Sequence, residues 1–400
     1  MIIRDAAVDR ESPLRVHAII DSLGRGGAEF LLADLAAVAP SAGIDLSVAH
    51  FEEARPDGAV SRLLERGVNP VRIPVSSLVS PRDLRSVRRH LADVRPDVVH
   101  THLGTSDWVA GLAARSLSLP AVSTVHVMDW ERSRRNNLKV ALMAAIRRRC
   151  MARVVAVSDE AGRWLLEHRW ARREQLVTVH NGVAAEPRPG AGPRIRRELG
   201  LSPEELVVMM VSVLRPEKGH ALGLAAVRAL LATRPGVRLV IVGDGPIRGW
   251  LETEAAALGN RVLFTGHRDD VMEVLDAADI LFHPSRVDAF PGSVVEALAA
   301  EVPVVATAVG GIPEIIADGV GGVLVEPDSG PRALADALER LMSHPDRRHA
   351  IAAAGRERFE REFTARLWAL RMRSVYEQAI ASDRRRSGVE QPLGGCHHHH

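Results

Sequence analysis

The sequence predicts an α/β chain of two doubly wound halves, each a parallel sheet with helices on both faces, facing each other across a cleft. Three observations carry this. Short β-branched or aliphatic runs alternate with longer amphipathic runs. The alternation halts once, in a proline- and glycine-rich stretch, and then starts again. The length of 400 residues supplies two ordinary cores.

In the first half, Arg15–Ile20, Asp45–His50, Val71–Ile73, Val98–His100, Ala121–His126 and Arg153–Val157 read as strands. Between them Glu29–Ala39 puts Phe30, Leu31, Leu35 and Val38 on one broad apolar face. Ala59–Arg66, Pro81–Val94 and Asp107–Leu117 read as further helices. The pattern breaks over Val183–Pro203, where Pro187, Pro189, Pro193 and Pro203 accompany Gly190 and Gly192. It resumes with strands at Leu206–Val213, Arg238–Val242, Val262–Phe264, Ile280–His283 and Val304–Thr307. Helices are expected at Ala221–Ala232, Ile247–Leu258, Ser293–Ala300, Arg332–Met342 and Pro345–Glu360, with a last amphipathic one at Thr364–Ala381. The expected division is a first domain over 14–183, a linker over 184–203 and a second domain over 204–363. A terminal helix over 364–382 then returns to the first domain, ahead of a tail over 383–400. The four closing histidines read as a tag.

Composition narrows the function. A formal net charge of +2 gives no electrostatic case for a nucleic-acid partner. Two cysteines, Cys150 and Cys396, make no disulfide framework and fit a reducing, cytoplasmic setting. No run of about 18 uncharged apolar residues exists to span a bilayer, and no apolar signal region follows the charged start Met1–Pro13.

Ligands of open α/β sheets sit outside the carboxyl ends of the strands, so chemistry is expected in loops that follow strands. Four such loops stand out. Leu23–Glu29 holds Gly24, Gly26 and Gly27, which let backbone N–H groups approach an anion. Leu214–His220 carries Arg215 and Lys218, suited to a pyrophosphate. Only Lys139 and Lys218 among 52 basic residues are lysines, so Lys218 marks a place where a compact ammonium is preferred. Val240–Pro246 runs a strand into Gly243-Asp-Gly245, which reads either as a structural turn or as a nucleotide-lining loop. In the fourth, Asp288 precedes a helix opened by Pro291 and Gly292, and Glu296 follows one turn inside. The free N–H groups of that helix start favour phosphate, and a carboxylate there can accept from both ribose hydroxyls.

Together these segments resemble the group-1, family-4 retaining glycosyltransferases of GT-B fold, two Rossmann-like domains facing across a cleft. The resemblance runs over about Arg15–Glu326. It rests on Gly26-Gly-Ala-Glu29, Ser123-Thr-Val-His126, Ala156-Val-Ser158, Asn181-Gly-Val183, Glu217-Lys-Gly219, Gly243-Asp-Gly-Pro246, Phe264-Thr-Gly266 and Asp288 to Glu296 with Gly310-Gly-Ile-Pro-Glu314. It implies that Lys218 and a nearby arginine hold the donor diphosphate and that Glu296 binds the ribose. Backbone at Pro291, Gly292, Ser293 and Val294 would contact sugar and phosphate, with Asp288 on the sugar hydroxyls. Gly26 and Gly27 would close on the phosphates, Gly243 would line the donor site, and His126 would sit beside the transferred sugar. Two positions depart from the family pattern. Asp288 stands where glutamate is usual, and Val213 stands at the usual arginine, which Arg215 is expected to replace.

The implied reaction moves a hexosyl group from a nucleotide-sugar donor to an acceptor hydroxyl of a glycan, lipid or small metabolite. It retains the anomeric configuration and uses neither metal nor cofactor. A GT-B nucleotide-sugar epimerase and a non-catalytic nucleotide-sugar-binding protein are the alternatives. Finally, 131–149 carries seven basic residues against one acid, with Leu138, Leu142, Ala145 and Ile146 on one helical face. That pattern reads either as peripheral membrane contact or as a solvated helix whose apolar side meets the core.

Overall fold

The computed structural model describes residues 12–24, 26–53, 58–76, 80–126 and 137–386. Residues 127–136, which include the 131–136 part of the basic segment, and the tail from 387 lie outside the described residues. Two seven-stranded parallel sheets organise the chain. The first contains β1 (Leu14–Ile20), β2 (Ile44–His50), β3 (Val71–Arg72), β4 (Val98–His102), β5 (Ala121–Val125), β6 (Arg153–Ala156) and β7 (Leu176–Thr178), in the order β3-β2-β1-β4-β5-β6-β7. The second contains β8 (Leu206–Val211), β9 (Val237–Val242), β10 (Val262–Gly266), β11 (Ile280–His283), β12 (Val304–Thr307), β13 (Ala317–Asp318) and β14 (Gly321–Val325), in the order β10-β9-β8-β11-β12-β14-β13.

In each sheet the winding reverses beside its first strand, between β1 and β4 and between β8 and β11. Such switch points open a crevice at the carboxyl ends of the strands. The apolar runs form strands because helices cover both faces; every residue of β9 is buried, Arg238 included. Three strands, β7, β13 and β14, were not expected from the pattern. β7 and β13 hold only two or three residues, and β14 opens on Gly321-Gly322, which carry no side chains to mark a strand.

The stretch expected as a bare linker contains a helix, Gly192–Glu198, after Pro187 and Pro189. It is anchored on the second lobe, where Gly192 N–H donates to Asp276 Oδ2 at 2.6 Å. The chain passes between the lobes twice, and the two passages lie side by side. Val183 N–H donates to Phe363 O at 3.0 Å, and Ala365 N–H to Val183 O at 3.1 Å. Gly182 permits this approach, since a Cβ there would stand 2.4 Å from Thr364 O. The final helix, Ala365–Arg386, then packs on the first lobe through buried Trp368 and Tyr376. Arg373 Nη1 donates to Ala42 O at 2.9 Å and Gly43 O at 2.7 Å, closing that contact.

Candidate active site between the lobes

The second lobe contributes its loops in sequence. After β8 the chain makes a tight 3-10 turn, Pro216–Lys218, and enters the helix His220–Leu231 through Gly219. Gly219 has φ +70°, and a Cβ on it would lie 1.8 Å from Pro284 O, so only glycine passes here. That passage sets Lys218 against the loop following β11. Lys218 Nζ donates to Asp288 Oδ2 at 2.6 Å. The same oxygen lies 3.0 Å from His283 Nε2 and 3.4 Å from Ser285 Oγ. Thr307, at the end of β12, fixes the Ser285 carbonyl. Burial pushes the Asp288 carboxyl up, but Lys218 and His283 outweigh it and hold it at about 2. Asp288 is therefore an ionised, fixed acceptor despite being only 8% exposed.

Gly243 has φ +137°, and a Cβ there would meet Ser212 O at 2.0 Å. Its N–H donates to Gly266 O at 2.8 Å. The Gly243 loop thus packs backbone-to-backbone on Ser212 and Leu214, which lead from β8 into the Lys218 turn, and that approach by itself requires glycine. Next to it, Pro291 caps the helix Gly292–Ala299 in extended geometry. Gly292 is exposed and Ser293 half-buried, while the Val294 side chain is core. Position 294 can therefore meet a ligand only through its backbone. Glu296 is half-buried, with its carboxyl pushed up by burial and pulled down by Arg62 of the first lobe. Its charge is also felt by Asp34 on the helix Gly27–Val38. Glu296 therefore faces the gap between the lobes.

From the first lobe, Gly26 caps the helix Gly27–Val38. The Glu29 carboxylate folds back onto Gly26: a Cβ on that glycine would stand 2.2 Å from Glu29 Oε2. A diphosphate here would meet a like charge. Burial pushes the Glu29 carboxyl up, favouring its neutral form, and the cation of Arg215 across the gap pulls the other way. Nothing lies within 4 Å of a Cβ built on Gly27, so its backbone is open. Phe30 stacks on His267 of the second lobe at 6.5 Å, and the Arg62 guanidinium lies 4.4 Å from the Phe30 ring centre. His126, at the end of β5, has its Nε2 2.9 Å from His102 Nδ1. Burial pushes it down to about 4, so it is a neutral hydrogen-bonding group rather than a cation.

Lys218 and Asp288 are in direct contact, Glu296 and Arg215 reach groups of the first lobe, and the Pro291 helix start and Gly243 loop adjoin them. His126 and the Gly26 loop belong to the opposite wall. Sequence reading had Glu314 only as the end of a motif and missed His180, and these two hold the walls together. Glu314 accepts from Asp159 N–H at 2.7 Å and Glu160 N–H at 3.0 Å, at the start of the helix Asp159–Glu167, and bonds His180 Nε2 at 2.8 Å. His180 stacks on Phe290 at 5.2 Å, and a Cβ on Gly311 would touch Ser158 Cβ at 2.8 Å. No periodicity marks Glu314 or His180, because their partners lie more than 130 residues away in sequence.

The basic helix Asn137–Cys150 departs from the reading of a solvated helix whose apolar side meets the core. Arg147 points inward: Nε donates to Asp107 Oδ2 at 2.9 Å, and the guanidinium lies 4.9 Å from the Trp170 ring centre. Leu142 is 44% exposed and Ala145 is exposed too, while Ile146 is half-buried, so Leu142 and Ala145 do not meet the core. The inward face at the helix end is set by the strong Asp107–Arg147 pair instead. Among the described residues no helix is long and apolar enough to cross a membrane.

Two parallel doubly wound lobes, with a cation, ionised acceptor and helix start at the carboxyl ends of one sheet, define the GT-B class of sugar-transferring folds. The chain belongs to the group 1 glycosyltransferases: residues 192–358 match the family Glycosyl transferases group 1, and 25–186 match Glycosyltransferase Family 4. It is 31% identical to a D-inositol 3-phosphate glycosyltransferase of Acidothermus cellulolyticus, covering 96% of this chain and 91% of that protein. It is 32% identical to the protein of that name from Segniliparus rotundus over 65% of this chain, spanning only 62% of the relative's length. The crystal structure of Anabaena Alr3699/HepE in complex with UDP and glucose superposes with a TM-score of 0.79 at 22% identity, over 90% of this chain and 99% of that one.

Proposed function

We propose that this protein transfers a hexosyl group from a nucleoside-diphosphate sugar to an acceptor hydroxyl, with retention of configuration and without a metal. The observation that carries the reading is the Lys218–Asp288 contact of 2.6 Å beside the Pro291 helix start, with Glu296 facing the other lobe. An ammonium has three N–H donors, so Lys218 can hold Asp288 and a phosphate oxygen together. Lys218, Arg215 and the free N–H groups of Gly292 and Ser293 stabilise the charge that builds on the departing diphosphate. Asp288 accepts from a donor-sugar hydroxyl, Glu296 accepts from the ribose, and neutral His126 orients the sugar from the opposite wall.

The bond from the anomeric carbon to the diphosphate breaks as the bond from the acceptor oxygen forms on the same face, through an oxocarbenium-like state. The acceptor proton passes to the departing diphosphate. The HepE complex makes UDP-sugars the first donors to test, and the relatives' name makes a phosphorylated cyclitol the first acceptor.

A thermal-shift panel of UDP-, GDP-, ADP- and TDP-sugars tests the donor site, because a ligand that binds only the folded state raises its melting temperature. One donor is expected to stabilise the protein, and Lys218→Ala and Glu296→Ala are expected to abolish that shift while remaining folded. Preserved shifts in both variants refute the assignment. Nuclear magnetic resonance of the product reads the anomeric configuration, and an inverted product refutes retention. An epimer formed without acceptor would favour the epimerase reading.

A further inference from the structure

A second charged feature lies at the other end of the first lobe. Arg115, Arg148, Arg149 and Arg172, with Ala145, line a cavity of about 480 Å³. Its position follows from the topology. Arg115 is in the last turn of the helix Gly104–Ser116, which ends ahead of β5. Arg148 and Arg149 end the helix Asn137–Cys150, ahead of β6, and Arg172 lies ahead of β7. All four stand at the amino ends of the strands, whereas the donor cleft lies at their carboxyl ends. The cavity is therefore separate from the site described above.

The guanidinium groups are held mainly by neutral acceptors. Arg115 Nη1 donates to Arg149 O at 3.4 Å, Arg148 Nη1 to Arg169 O at 3.0 Å, and Arg172 Nε to Gln175 Oε1 at 3.2 Å. Gln175 in turn donates to Arg148 O at 3.0 Å, which ties the Arg172 loop to the helix end. Among the described residues the one carboxylate paired with these four is Glu174, 3.3 Å from Arg172 in a largely exposed contact. The neighbouring Arg147 shows the contrast: its charge is matched by Asp107 and it is buried. Four cations facing one concavity with a single peripheral acid repel one another, and the helix ends offset only part of that. Each guanidinium has five N–H donors and uses few of them here, in the planar arrangement that suits a phosphate group.

We propose that this cavity binds a phosphate group, carried by a soluble phosphorylated molecule or a lipid headgroup, at a place remote from donor and acceptor chemistry. The test uses the full chain carrying Lys218→Ala, which removes the cation expected to hold phosphate in the cleft. Inorganic tripolyphosphate, followed by titration calorimetry, probes the soluble source. Cosedimentation with phosphatidylcholine vesicles, with and without phosphatidic acid, probes the lipid source. Binding in either arm is expected, weakened about tenfold for each guanidinium removed in Arg149→Gln and Arg172→Gln. Both side chains are exposed, and circular dichroism checks the fold of the variants. The same substitutions with Lys218 intact are expected to leave the donor-induced thermal shift unchanged. Binding that is equal in the arginine variants and their parent, or no binding of either probe, overturns the proposal. Loss of the donor shift on these substitutions would also overturn the separateness of the site.

Discussion

The two lobes wind their strands almost identically yet fill them with different chemistry. In the second lobe β8 and β9 are nearly all valine, leucine, isoleucine and methionine, and the polar groups stand on the loops beyond them. In the first lobe, polar side chains enter the strands themselves. His100, Thr101, His102, Ser123 and Thr124 are all buried within β4 and β5. Three of them form connected contacts: Tyr376 Oη lies 2.9 Å from His100 Nδ1, His100 Nε2 2.7 Å from Thr124 Oγ1, the His100 and His102 ring centres 4.0 Å apart, and His102 Nδ1 2.9 Å from His126 Nε2. One lobe is an apolar platform presenting charged loops. The other is a polar interior that runs from the terminal helix to the cleft wall. Damage to the first lobe's interior is expected to cost stability, and damage to the second lobe's loops is expected to cost turnover.

The largest effect is expected in the first lobe. Asp107→Ala leaves Arg147, 2% exposed, without its counterion. Breaking a buried pair from one side costs about 3–5 kcal/mol, much of it from the stranded charge. Urea unfolding should show that loss, and adding Arg147→Met should restore most of it. If the single substitution were silent, the contrast between the lobes would fail at its strongest point.

Next comes the second lobe's turn. Gly219→Ala forces a side chain into φ +70° and against Pro284 O, displacing Lys218 from Asp288. Backbone strain of this kind costs about 1–3 kcal/mol. Here kcat/KM should fall further than that stability loss alone accounts for. A variant that unfolds more readily yet turns over normally when folded would place the turn outside the chemistry. Confined to stability is Tyr376→Phe, which removes one buried hydroxyl and leaves His100 Nδ1 without its partner. A loss of about 1–3 kcal/mol in urea unfolding, with KM for the donor unchanged, is expected.

What the sequence revealed and what it hid follow the same division. Alternation located β11 and β12 to the residue, because apolar parallel strands bounded by turn residues give a clear pattern. Lys218 and Asp288 could be singled out because they stand on loops beyond apolar strands, and the structure sets them in contact. The histidine contacts of the first lobe were not legible beyond His126. A histidine inside a strand looks the same in sequence whether it meets solvent, tyrosine or another histidine. Arg147 was read with Arg148 and Arg149 as one basic run, since nothing local distinguishes the one that meets Asp107, 40 residues earlier. Glu314 was legible only as the end of a motif, for the same reason: its partner is the start of a helix in the other lobe.

The last expected effect lies where the lobes meet, and its sign separates it from the histidines. Burial, then the charge of Glu296, pushes the Asp34 carboxyl up to about 7, while the Ala184 N–H, Arg62 and Arg66 act in the opposite direction. A carboxyl with a raised folded-state pKa keeps its proton where the unfolded chain has lost it. Its contribution to stability therefore declines as pH rises from the usual 3.8 through about 7. Buried His17 and His100, each pushed down to about 3, and His126 and His220, down to about 4, behave oppositely. Their contribution is complete above the usual 6.5 and is lost as pH falls toward those values. Asp34→Asn holds the neutral form at every pH. Its stability advantage over the parent should be greatest above pH 7 and vanish toward 3.8, while the histidine-driven loss in acid persists unchanged. Urea midpoints across that range decide the matter, since a pH-independent advantage would mean that Asp34 is not neutralised by its place between the lobes.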